Sequence, residues 1–308
     1  MLDVRRLRIL QHLATYGTVA ATADVLRLTA PAISQQLAVL EREAGVAVVE
    51  RHGRTLRLTA AGELLVAHAE VVLGDLAAAE SDLAALRGGA HGVVRVAAFA
   101  SACRRLMPAV FRSLAADGSG GHALSLDLVE QEPELSLEAL RRRETDLAVV
   151  HGYTVLPRDF PVGCETAPLM EDPVVLVLHP ARAAELGLAE GEAADLARLA
   201  DDPWLTPGPE ASCYEMVQRA TGAAGFVPSV RARSSDFAVL TALVAAGAGV
   251  ALAPRLALPR ADAPLSLHPL VHPVTRTVYT AHRTGTARRP GLRRLLEMLQ
   301  DAAGSVTA

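Results

Sequence analysis

Along the first sixty residues the apolar positions recur at three- and four-residue steps in three separate runs, the period of helices with one buried face. Leu2, Leu7, Leu10, Leu13 and Ala14 share a face of a predicted helix from Met1 to Tyr16, which Gly17 ends. Thr18 can cap a second helix rich in alanine, whose small side chains permit close approach to a neighbour. Ile33, Leu37 and Leu40 mark the inner face of a third, opened by Thr29 and Pro31. A hydroxyl can accept the free amides of a first turn, and proline suits that turn because its missing N–H is not needed there. Ser34, Gln35 and Gln36 are left pointing outward. The period then changes. Val46 to Val49 is a β-prone run, and Glu50 to Thr59 reads as a tight turn feeding a second strand.

Three helices followed by a hairpin bearing Arg51, Arg54 and Arg57 is the order of a winged helix-turn-helix over residues 1–59. The third helix would lie in the major groove, where short polar groups meet base edges, and arginines on a wing suit phosphates and a narrow minor groove. Thr29, Pro31, Ala32, Ser34, Gln35, Gln36, Arg51 and Arg54 are therefore the candidate DNA contacts.

From residue 60 to 87 the pattern becomes a heptad seam, Leu65, Ala69, Val72, Leu76, Ala79, Leu83 and Leu86, stepping by four and three without a slip. This predicts a linker helix that pairs with a second copy, with Leu65, Val72, Leu76, Leu83 and Leu86 as dimerisation residues. The alternative is an amphipathic helix packed on its own domain. Gly88-Gly89-Ala90-His91-Gly92 then reads as a hinge. Beyond it strands and helices alternate: strands at 93–98, 124–129 and 146–150, with helices at 104–114 and 135–143 between them. A second such unit follows, and one more strand and helix near 277–282 and 290–303 return to the first. The fold class is α/β, with a mostly parallel sheet. Subdomain I is expected at 93–165 and 270–303, and subdomain II at 166–269.

In open α/β sheets ligands gather beyond the carboxyl ends of strands. Those positions hold Ser101, Gln131, Glu132, His151, Thr206 and Ser235, the candidate effector-binding residues. Ser101 and Ser235 each stand at an expected helix start, where free amides and the helix dipole favour an anion. A small carboxylate is thus the expected ligand, and an amine or hydroxyl is what Glu132 would select instead.

Charge sharpens this picture. The chain of 308 residues has net charge −4, and every basic residue is arginine. Residues 1–62 carry eight arginines against five acids, while 63–87 carry one against five. A basic head on an acidic body fits a protein that touches DNA at one end. Aromatics make up 3%, which disfavours stacking on unpaired bases and favours duplex DNA. No long uncharged apolar stretch suggests a membrane span or leader, so a cytoplasmic location is expected. Three cysteines show no metal-ligand spacing, and there is no nucleophile elbow, phosphate loop or carboxylate pair, so neither metal, cofactor nor enzyme activity is expected. Cys103, followed by Arg104 and Arg105, suggests a thiol-based redox sensor as the alternative reading.

An ordered set of motifs in this chain resembles the LysR-type transcriptional regulators. It comprises Pro31-Ala32-Ile33-Ser34-Gln35, then Leu37-x-x-Leu40-Glu41, then Arg51-x-x-Arg54 and Leu58-Thr59-x-x-Gly62. Later, Asp146-Leu147-Ala148-Val149 and Ala246-Gly247-x-Gly249-Val250-Ala251-Leu252-x-Pro254 resemble that family's effector-binding domain. Two departures stand out: Val48-Val49-Glu50 where the family usually has Leu-Phe, and Ala30 where glutamine often precedes the proline. The resemblance implies a periplasmic-binding-protein-like domain of two subdomains and control by a small-molecule effector. It also implies a homodimer or homotetramer on an inverted-repeat duplex site, with RNA polymerase as a further partner.

Overall fold

A computed structural model describes residues 1–52, 55–86, 93–117, 124–259 and 264–307. The head begins with α1 (Val4–Tyr16), α2 (Val19–Leu26) and α3 (Ala30–Ala44). Each starts on a side chain that accepts a free amide: Asp3 from Arg5, Thr18 from Ala21 and Thr29 from Ala32. Gly17 and Gly45 close α1 and α3 in the left-handed region, and Arg27 closes α2 there at φ 53°. The antiparallel wing strands β1 (Val49–His52) and β2 (Thr55–Leu58) follow. Leu10, Ile33 and Leu40 are fully buried, and Leu37 nearly so, in a core that also takes in Val48, where the family's usual Leu-Phe is replaced.

The quoted motifs have local reasons. Glu41 receives the amides of Val48 (3.0 Å) and Val49 (3.2 Å), tying the end of α3 to the base of the wing. Thr59 donates to the Ala47 carbonyl at 2.8 Å and accepts from Gly62. A Cβ on Gly62 would lie 2.1 Å from the Val48 carbonyl oxygen, so no larger residue fits while the wing stays where it is.

The linker helix α4 runs Ala60–Leu86, about 40 Å at 1.5 Å per residue. The expected seam divides along it. Leu65 and Ala69 pack into the head's own core, whereas Val72, Leu76 and Leu83 are exposed at 41%, 43% and 54%. The side chain of Leu86, like Arg54 and the expected hinge at 88–92, lies outside the described residues.

The second domain is built of β3 (Val93–Ala98), α5 (Ala100–Arg105), α6 (Met107–Asp117), β4 (Ser125–Glu130), α7 (Pro133–Arg141) and β5 (Leu147–Tyr153). Then come β6 (Cys164–Leu178), α8 (Pro180–Glu185), β7 (Pro203–Thr206), α9 (Ser212–Ala223), β8 (Ser229–Arg233) and α10 (Phe237–Ala245). The chain ends with β9 (Ala251–Pro254), β10 (Ser266–His268), β11 (Thr275–Arg283) and α11 (Pro290–Thr307).

The sheet is more mixed than the sequence suggests. β3 lies parallel to β4 and β5, but β11 is antiparallel to both β5 and β6. β6 is also longer than its apolar run, because its first half is a largely exposed strand with no hydrophobic signal. That first half pairs with β11, and its second half pairs with β9 and β10. One strand therefore belongs to both subdomains. The helix expected at 104–114 is two helices broken at Leu106, since Pro108 cannot donate the amide a continuous helix would need. One core gathers Val96, Leu106, Val149, Val278 and Leu295, and another Leu176, Leu199, Trp204 and Met216.

Candidate functional site

At the amino-terminal end the first turns of α3 face away from the core. Pro31, Ser34 and Gln35 are exposed, Ala32 and Gln36 half-buried, and Arg51 is exposed on β1. The Thr29 hydroxyl is occupied as the cap of α3 at 3.3 Å from the Ala32 amide, and the Ser34 hydroxyl donates to the Ala30 carbonyl at 3.1 Å. Gln35 is thus the side chain most available for a base edge.

Between the two subdomains lies a cavity of about 530 Å³, within the range of small-molecule sites. Of the six expected effector residues, Ser101, Glu132, His151 and Ser235 line it, while Gln131 and Thr206 do not. Glu130 and Glu132 face the cavity and Gln131 between them turns away, as alternation along an extended segment requires. Thr206 is fully buried and Pro207 after it takes the lining position.

Neither Ser101 nor Ser235 is the cap of its helix. Ser101 sits inside the six-residue α5, and its hydroxyl accepts a hydrogen bond from Arg276 at 2.9 Å. The cap of α10 is Asp236, not Ser235; its carboxylate receives the Ala238 amide at 2.8 Å. The anion at that helix is the protein's own.

Arg276 is the residue that sequence reasoning missed. It is 3% exposed, lines the cavity and donates from Nε to Asp172 Oδ2 at 2.9 Å, with Asp172 2% exposed. Its guanidinium lies 4.8 Å from the Phe99 ring centre. Only the pairing of β11 with β6 brings these residues opposite one another, so no local motif announces them. Tyr153 was missed as well, although alternation two residues beyond His151 puts it on the same face. His151 packs edge-on against Phe99 and Tyr153, and burial beside Arg276 and Arg158 holds its pKa well below the usual histidine range. The His151 Nδ1 is buried without a hydrogen-bond partner among the described residues, and the buried Tyr153 hydroxyl lies against Cys213 and Arg276.

Cys103 and Cys213 line the same cavity, but burial pushes each thiol up to about 11. Cys103 donates to the Ala98 carbonyl, and Glu130 adds to its shift, so the thiolate expected from Arg104 and Arg105 is disfavoured.

The linker helix rests on the second domain of its own chain. Asp75 pairs with Arg288 at 2.7 Å, and a Cβ on Gly74 would lie 3.2 Å from the carbonyl carbon of Gly285. Glu70 sits over Gly163, where a Cβ would meet its carboxylate at 2.3 Å. Burial raises the Glu70 pKa to about 7 against the opposing pull of Arg143 and Arg283.

A DNA-reading head joined through one long helix to a two-lobed ligand-binding domain defines a regulator that senses and binds DNA in a single chain. Residues 4–63 match the bacterial regulatory helix-turn-helix protein model of the lysR family, and residues 87–304 match the LysR substrate binding domain. The chain belongs to the LysR family of transcriptional regulators. It is 27% identical to the probable HTH-type transcriptional regulator LrrA of Synechococcus elongatus, over all of this chain and 99% of that one. It is 29% identical to the RuBisCO operon transcriptional regulator of Allochromatium vinosum, over 66% of this chain and 63% of the relative. Full-length CbnR, solved in complex with its target DNA, matches with a TM-score of 0.53 and 25% identity over 98% of this chain and 100% of that one. Among the described residues no helix is long and apolar enough to cross a membrane.

Proposed function

We propose that two or four copies of this chain hold their winged heads on an inverted repeat in duplex DNA, and that a small molecule in the cleft changes the spacing of those heads. The pairing is supported by the apolar stripe of Val72, Leu76 and Leu83 on α4, exposed among the described residues. CbnR, a relative in fold, is solved on its target DNA, and duplex DNA is the partner read here as well. The observation that carries the effector control is the strand pair β6–β11. One end holds Arg276 in the cleft with Asp172 against it, and the other leads through Gly163 and Gly285 to the linker helix. A ligand controls the heads only if it binds one arrangement better than the other.

The test is a DNase footprint of the full chain on the DNA upstream of its own gene, across a salt series. A long, two-part protected region over an inverted repeat that weakens steeply with salt is expected. Absence of any binding at low salt refutes the reading.

A further inference from the structure

The charges lining the cleft are unequal, and the positive ones are already answered. Arg276 is met by Asp172 and by Ser101, and the amides at the start of α10 are met by Asp236. Arg104 lies 3.9 Å from the same Asp236. The negative ones are not. Glu130, Glu132 and Glu210 line the cavity, and their carboxylates form no ion pair or hydrogen bond with any described residue. Glu132 is the half-buried member, set at the start of α7. A free carboxylate entering this space would find carboxylates without partners and guanidiniums with them.

A second observation points the same way. His151 and Tyr153, each 3% exposed, line the same cavity; the His151 Nδ1 has no hydrogen-bond partner among the described residues, while the Tyr153 hydroxyl lies against Cys213 and Arg276. Unpaired buried polar atoms cost free energy, and a ligand that satisfies them recovers it. These two are neutral groups, suited to a hydroxyl, carbonyl or amide on the ligand.

On the reading of this cleft as the effector site, we propose that the effector is a small cationic amine. Its ammonium is received by Glu132, with Glu130 and Glu210 adding to the field, and its polar body is hydrogen-bonded by His151 and Tyr153. Burial, with Glu134 and Glu130 nearby, raises the Glu132 pKa against the opposing pull of Arg276 and Arg158, and an ammonium partner lowers it again.

The experiment uses the full chain. Thermal unfolding and calorimetry are run with 1,4-diaminobutane, 2-aminoethanol and lysine, and separately with succinate and benzoate. The expected result is stabilisation by an amine, with affinity weakened about ten- to hundredfold in Glu132→Gln, the worth of one charged hydrogen bond. Glu210→Gln, on an exposed carboxylate, weakens it only about two- to threefold and serves if the first variant fails to fold. Stabilisation by succinate or benzoate and by none of the amines overturns the amine and leaves the effector cleft standing. No binding by either set, with an unchanged footprint, overturns both.

Discussion

Replacing Asp172 by asparagine removes one charge and almost no volume from the middle of the cleft wall. Asp172 and Arg276 are 2% and 3% exposed, so the guanidinium left behind is almost wholly buried without its carboxylate. Breaking a buried pair by removing one partner costs about 3–5 kcal/mol. A separate count agrees: two hydrogen bonds from Arg276 to Asp172 Oδ2 are lost as charged interactions, at about 1.5–3 kcal/mol each. The Leu256 amide, 2.9 Å from Oδ1, keeps an acceptor in the asparagine, so the loss is electrostatic. For a domain of this size the fall in Tm is roughly 6–20 °C. Urea unfolding followed by fluorescence reads it, because Trp204 is the single tryptophan and lies fully buried in the second subdomain. Arg276→Met should also destabilise, since it strands the Asp172 carboxylate without its partner. The double variant should recover much of either loss. A cost below about 1 kcal/mol for Asp172→Asn, or simple additivity in the double variant, would refute the account.

Four further outcomes follow from the same geometry. Glu70→Gln should stabilise the chain above neutral pH: between the ordinary 4.5 and about 7 the folded state holds a proton the unfolded chain has lost, so stability falls as pH rises. With partial solvent screening the gain is on the order of 1 kcal/mol, and a pH series of melts in which wild type and variant stay parallel would contradict it. Gly62→Ala should push the wing off the head and cost about 1–3 kcal/mol, seen as a lower head melting point and loss of the footprint; wild-type binding would mean the contact yields freely. Arg51→Ala should lower the slope of log affinity against log salt by about 1 without altering sequence preference, while Gln35→Ala should relax preference by about 1–3 kcal/mol at one base pair; exchanged phenotypes would reverse the two roles. Leu76→Asp should shift the chain towards monomer in sedimentation, and an unchanged assembly would move the interface elsewhere.

The head was almost wholly legible because its determinants are local. Thr29, Gly45 and the spacing of Ile33, Leu37 and Leu40 act within one helix, and the structure realises them. Glu41 and Gly62 could be recognised as motif positions, but their reasons lie across the wing and needed the fold. The linker pattern was legible and ambiguous, since a heptad step does not say which partner covers it: Ala69 packs into the head, whereas Val72 is exposed among the described residues. In the cleft, side chains that follow a strand end were found, as with Ser101, Glu132 and His151. Arg276 and Asp172 were not, because they meet through the antiparallel pairing of β11 with β6, 104 residues apart in sequence. The anion expected at Ser235 failed for a related reason: the sequence placed the cap one residue early, and Asp236 fills that role.

That long-range pairing is also what makes the cleft and the linker one mechanical problem. The seven steps from Arg276 to Arg283 carry β11 roughly 24 Å at 3.4 Å per step. At its far end the chain turns through Gly285, against Gly74 of the linker, to Arg288 and its partner Asp75. β6 runs the other way, from Gly163 beneath Glu70 to Asp172 against Arg276. Glycine at 74, 163 and 285 leaves no side chain to cushion a shift, so movement of the strand ends acts directly on the backbone of α4. Close-packed interiors respond by changing between discrete arrangements, not by yielding gradually. On the proposed function, a ligand drawn against Glu132 and Tyr153 would work on the walls that Arg276 and Asp172 hold, and those walls end under α4. The Arg276–Asp172 pair would then be the point at which a small molecule and a DNA spacing share one free energy.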